Sequence, residues 1–66
     1  MRQRDKMREL YARFGGRKGD CVAGYAEAER RGEVGRKQDS HGLSPEAYAA
    51  ALFEDGVRKL WIRGGA

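Results

Sequence analysis

Apolar side chains recur at helical spacing in three separate stretches of this chain. In the first, Met7, Leu10, Tyr11 and Phe14 stand at i, i+3, i+4 and i+7, a narrow stripe surrounded by charged residues. The spacing predicts a helix over about residues 4–14, stopped by Gly15-Gly16, because glycine accepts the left-handed geometry that closes a helical C-terminus. In the second, Val22, Tyr25 and Ala26 form the stripe and Ala23 and Ala28 extend it. Asp20 reads as its N-cap and Gly32 as its stop, so a helix over 20–31 is predicted, with Val34 folding back to close the core.

The third stretch, Leu43 to Trp61, has the clearest start. Ser44-Pro45-Glu46 supplies an N-cap, a first-turn proline and an early carboxylate suited to the helix dipole, and Leu43 and Tyr48 have the spacing of a hydrophobic staple. Steps of 100° then gather Ala49, Leu52, Phe53, Gly56, Val57 and Leu60 on one face, flanked by Tyr48 and Trp61, which predicts a helix over 44–61. Gly56 costs about 1 kcal/mol against alanine there, so a close helix crossing, over Tyr25 or Leu10, is expected. Glu27 with Arg31, Glu54 with Arg58 and Asp55 with Lys59 are acid-first pairs four apart, expected on solvent faces. The fold class implied is all-α: a small three-helix domain spanning 1–66, with a long polar loop before the third helix, frayed residues 1–3 and a 63–66 tail.

Composition narrows this reading. A chain of 66 residues buries only about 60% of the surface its unfolded form exposes, so its stability is thin and a homodimer is one expected way of adding to it. The single cysteine, Cys21, cannot form an internal disulfide, which fits a reducing compartment and a cytoplasmic location. No secretory signal is read in the charged N-terminal stretch. The longest apolar run, Ala49 to Phe53, is far short of the roughly 20 residues a membrane helix needs.

The net charge of +4 is unevenly spread: residues 1–18 carry +5, residues 19–43 carry −1 and residues 44–66 balance. A basic N-terminal helix is the electrostatic footprint expected of nucleic-acid contact. Arginine outnumbers lysine ten to four, which suits phosphate recognition by the guanidinium fork, although a GC-rich genome would write the same bias.

Two local patterns resemble known nucleic-acid modules. Gly16-Arg17-Lys18-Gly19 followed by Val22 resembles the G-x-x-G loop with which KH domains clamp a nucleic-acid backbone. That resemblance implies a three-stranded sheet, and the chain offers no set of strands, so the loop reads as a glycine-rich turn made soluble by two cations. Arg30-Arg31-Gly32-Glu33-Val34, followed by Arg36 and Lys37, resembles the end of a winged-helix recognition helix leading into its wing. A winged domain implies paired strands next, whereas here a self-contained helix follows.

For catalysis the inventory is poor. Cys21 and His41 are the only thiol and imidazole; the helix N-terminus beside Cys21 is expected to lower its pKa, giving modest reactivity without an enzymatic role. They cannot complete a tetrahedral zinc site, and no Walker loop, H-E-x-x-H or dinucleotide fingerprint occurs. No metal or cofactor is expected. The function expected is non-catalytic binding of nucleic-acid phosphates by Arg2, Arg4, Lys6, Arg8 and Arg13 on the first helix and by Arg17, Lys18, Arg36 and Lys37 on the connectors. The alternative is a protein-interaction module, or a small regulator or inhibitor, whose basic surface docks on an acidic protein. There Trp61 and Ile62 form the interaction patch.

Overall fold

The structure, a computed structural model, describes residues 2–35 and 42–62. The expected all-α class holds: three helices run α1 Gln3–Arg13, α2 Lys18–Arg30 and α3 Pro45–Arg58, and the described residues include no strand. The sheet of a KH domain and the wing strands of a winged helix are therefore missing among the described residues. Gly16 lies in the turn after α1, while Lys18 and Gly19 form the first turn of α2. None of the described helices is long and apolar enough to cross a membrane.

The helix starts follow local chemistry in one case and depart from it in another. Ser44 caps α3 as the sequence predicts, its hydroxyl accepting a hydrogen bond from Ala47 N at 3.2 Å. Asp20 does not cap α2. The chain turns helical two residues earlier, with Arg17 in extended geometry at the N-cap and Arg17 O accepting from Cys21 N at 3.0 Å. Asp20 thus sits inside the first turn, where the dipole favours it, and its carboxylate meets Arg17 Nε at 2.8 Å.

Each helix ends by the same device, a left-handed residue just past the cap. After α2, Gly32 has φ +76°, Gly32 N donates to Glu29 O at 3.0 Å and Glu33 N to Ala28 O at 2.9 Å; Val34 then folds into the core as expected. The corresponding residue after α3 is Leu60, with φ +63°. Leu60 N donates to Val57 O at 3.1 Å and Trp61 N to Gly56 O at 3.1 Å, so α3 stops at Arg58 rather than running on to 61. Two expectations fall with that turn. Leu60 leaves the core face and is 57% exposed, and Gly56 is approached not by Tyr25 or Leu10 but by Trp61 and Ile62 of its own chain end.

The core joins Met7 and Leu10 of α1, Cys21, Tyr25 and Ala28 of α2, and Ala49 and Phe53 of α3, and is closed by Val34 and Ile62. Ala23, placed on the buried stripe by spacing, is exposed, and Cys21 takes the buried position instead. Helices α2 and α3 share the most extensive contact and run antiparallel. The first turn of α2 pairs with late α3 through Lys18 and Glu54, and the last residue of α2 pairs with early α3 through Arg30 and Glu46. Glu54 therefore reaches across to α2 rather than along its own helix, while Arg58 meets Asp55 at 3.0 Å. The pairs Glu27–Arg31 at 3.2 Å and Asp55–Lys59 at 3.3 Å form as the spacing predicts. Helix α1 crosses α2 at Gly24, where an added Cβ would lie 3.1 Å from Leu10 Cδ2 and 3.2 Å from Phe14 Cε2. On its other side Tyr11 packs on Phe53, with ring centroids 6.0 Å apart.

Candidate nucleic-acid interface

The fold divides the nine basic residues singled out in the sequence. Lys6 is drawn inward: its side chain is only 12% exposed and its ammonium meets Glu9 Oε2 at 3.0 Å and Glu33 Oε1 at 3.1 Å. Those two hydrogen bonds, the one to Glu9 first, raise its pKa and hold the charge in a strut between α1 and the turn after α2. Arg17 faces Asp20 and Lys18 faces Glu54, so the glycine turn that resembled a phosphate clamp carries two locally neutralised cations. Arg36 and Lys37 lie outside the described residues.

Arg2, Arg4, Arg8 and Arg13 remain. All four are exposed, and none has an acidic partner within salt-bridge distance among the described residues. Two of them lie against aromatic rings: Arg4 Cζ is 5.1 Å from the Trp61 ring centroid and Arg13 Cζ is 5.6 Å from that of Phe14.

Between the start of α1 and the turn after α3 lies an open groove of about 480 Å³, lined by Arg2, Gln3, Arg4, Leu52, Asp55, Lys59 and Trp61. Its geometry is fixed by Gln3. The Tyr48 hydroxyl donates to Gln3 Oε1 at 2.8 Å, and Gln3 Nε2 donates to the Gly35 carbonyl, so the first turn of α1 is tied to α3 and to the end of the α2 turn. Asp55 is the only carboxylate among the described residues of the lining, and Arg58 first and Lys59 second hold it below the ordinary carboxylate range. It stays charged and is matched by Arg58 at 3.0 Å and Lys59 at 3.3 Å, leaving Arg2 and Arg4 as the groove's unpaired charges among the described residues. A second, smaller groove between α1 and α2, about 260 Å³, mixes Lys6, Arg13 and Arg31 with Glu27 and Glu33, and its cations Lys6 and Arg31 are already matched to carboxylates.

The expected patch of Trp61 and Ile62 does not form as a unit. Ile62 is 2% exposed because the left-handed turn at Leu60 tucks it onto Gly56, and only Trp61 reaches the groove. Gln3, Leu52 and Lys59 belong to this site and were not read as such from sequence. A signal existed for Gln3, which stands four residues before Met7 on the apolar stripe of α1.

The expected lowering of the Cys21 pKa is reversed. Cys21 is completely buried, and loss of solvation raises its thiol pKa, with Asp20 adding to the rise and Arg17 only partly opposing it. His41 lies outside the described residues, so the Cys–His separation has no geometry to weigh. Among the described residues no three His, Cys, Asp or Glu side chains cluster closely enough to hold a metal ion. The Tyr25 hydroxyl is buried with no hydrogen-bond partner among the described residues, and burial, with smaller contributions from Tyr48 and Glu29, raises its pKa well above the ordinary value. No protein-family model matches the chain, and searches of curated proteins and of solved structures likewise found no match.

Proposed function

We propose that the protein is a small non-catalytic binding module that holds nucleic acid by its phosphates, chiefly through α1. The observation that carries this reading is the division of charge: Arg2, Arg4, Arg8 and Arg13 are exposed and unmatched by acids among the described residues, while Lys6, Arg17 and Lys18 are spent on carboxylates of the same chain. Contacts of this kind give affinity without reading sequence. Docking on an acidic protein draws less support, since burial of Ile62 removes half of the apolar patch it would use.

The test is the salt dependence of binding. Four phosphate contacts on a single strand give a slope of log affinity against log salt of about −3, against roughly −6 if all nine cations engaged. Replacing Arg4 and Arg8 with glutamine should flatten that slope by about 1.4 and weaken binding to unrelated sequences alike. Absence of binding to any nucleic acid at low salt would sink the proposal.

A further inference from the structure

We infer, building on the phosphate-binding reading, that the groove between the start of α1 and the turn after α3 is a stacking site for an unpaired nucleobase, so that the ligand is a single strand. Trp61, the only tryptophan of the chain, is partly exposed there. One edge of its indole rests over Gly56, and the Arg4 guanidinium lies 5.1 Å from its ring centroid. Indole and guanidinium planes both stack on bases, and both tolerate any base because every base has a π-face. Leu52 adds an apolar wall, and the two unpaired arginines, Arg2 and Arg4, stand where the flanking phosphates of a stacked nucleotide would pass.

The charge pattern favours an anion over a neutral aromatic ligand. Asp55 is held by Arg58 at 3.0 Å and Lys59 at 3.3 Å, so the one carboxylate among the described residues of the groove is matched and the field those residues leave is positive. A volume of about 480 Å³ falls within the roughly 300–1,000 Å³ of pockets that take a small ligand, room for a nucleotide. In a duplex the base faces are covered by one another, and only an unpaired base can offer its face to Trp61. The groove is also braced before any ligand arrives, because Gln3 is fastened to Tyr48 and Gly35. Little ordering is then left to oppose binding.

A single tryptophan makes the test direct. Emission of Trp61 is titrated with a thymidine oligonucleotide of about ten nucleotides, with the matching duplex, and with an abasic strand of the same phosphate count, while dye anisotropy reports binding independently. Stacking predicts that the single strand quenches Trp61 and binds about tenfold more tightly than the abasic strand, which binds without quenching. Arg4→Gln and Trp61→Leu should each reduce that tenfold ratio towards one, with the helical circular dichroism unchanged. If Trp61→Leu fails to fold, Arg4→Gln and the quenching of the wild-type chain decide the matter. Equal binding of all three ligands with no change in Trp61 emission would overturn the stacking site and leave phosphate binding standing, as would a preference for the duplex. If no ligand binds at low salt, both readings fall.

Discussion

Replacing Gly56 with alanine sets two effects of known size against each other. Inside a helix the substitution is favourable by about 1 kcal/mol. At this position, however, the new Cβ would lie 2.4 Å from Ile62 Cγ2 and 3.0 Å from both Cη2 and Cζ2 of Trp61. Isoleucine is branched at Cβ and stiff at χ1, so that methyl cannot swing aside. The turn after α3 must lift, and Ile62, now only 2% exposed, loses its burial. Burial of such a side chain contributes about 1.5–3 kcal/mol, which leaves a net destabilisation of roughly 0.5–2 kcal/mol after the helical gain is subtracted. For a domain of this size the thermal midpoint should fall by roughly 2–16 °C. Melting followed by circular dichroism reads the loss, and Trp61 emission should shift to the red as the indole gains water. Gly19→Ala is the control, since an added Cβ there meets nothing within 4 Å and the melting point should hold or rise. A Gly56→Ala chain as stable as wild type, with Trp61 emission unmoved, would refute the packing of the chain end on α3.

Three further perturbations test separate parts of the fold. Leu60→Gly should stabilise the chain by about 0.5–1 kcal/mol in urea unfolding, because the left-handed backbone costs leucine roughly 1–2 kcal/mol and glycine's unfolded-state freedom returns about 0.4–1 of that; a loss of stability would mean that the exposed side chain does more for folding than its surroundings indicate. Tyr25→Phe should be neutral or up to about 1 kcal/mol more stable, since it removes a buried hydroxyl with no partner among the described residues, and a loss beyond about 1 kcal/mol would reveal a hidden partner. Glu46 accepts a hydrogen bond from Arg30 that holds its carboxyl below the ordinary 4.5. A depressed folded-state pKa means that the unfolded chain takes up the proton first as pH falls, so this contribution is present above about pH 4.5 and lost below it. Glu46→Gln should therefore lower the melting point at neutral pH by an amount that shrinks as the pH falls below 4.5, and a difference that stays constant into acid would contradict the pairing.

Most of the helical architecture was legible because it rests on local chemistry. The stripe of Met7, Leu10, Tyr11 and Phe14, the Ser44 cap and the Gly32 stop each act within a few residues, and all three were read correctly. What the spacing could not show was a turn made by an unfavourable residue. Leucine has no preference for φ +63°, so nothing at Leu60 announces the end of α3; its left-handed geometry is sustained by the tertiary reward of burying Ile62 on Gly56. The glycine itself was a correct signal of close approach assigned to the wrong neighbour, and the helix crossing expected there occurs at Gly24 instead. The candidate groove was hidden for the same reason, since it exists only because that turn carries Trp61 back beside Arg4.

Cations that are equal in a sequence are unequal in a fold, and the difference bears directly on where a polyanion can rest. A phosphate approaching Lys18 or Arg17 meets a carboxylate already within ion-pair reach, Glu54 or Asp20. Such exposed pairs hold with no more than about 1 kcal/mol, so they can be broken, but the displaced carboxylate stays nearby and repels the newcomer. Lys6 is more firmly excluded, because it is nearly covered and shared between two glutamates on different segments. Releasing it would also loosen α1 from the turn after α2. Arg2 and Arg4 have neither constraint: among the described residues no acid competes for them, and the one carboxylate lining the groove they border is already paired with Arg58 and Lys59. The structural role of the paired cations thus sharpens the binding role proposed for the unpaired ones: among the described residues, the uncompensated cations singled out in the sequence lie on the exposed side of α1 and at the groove at its start.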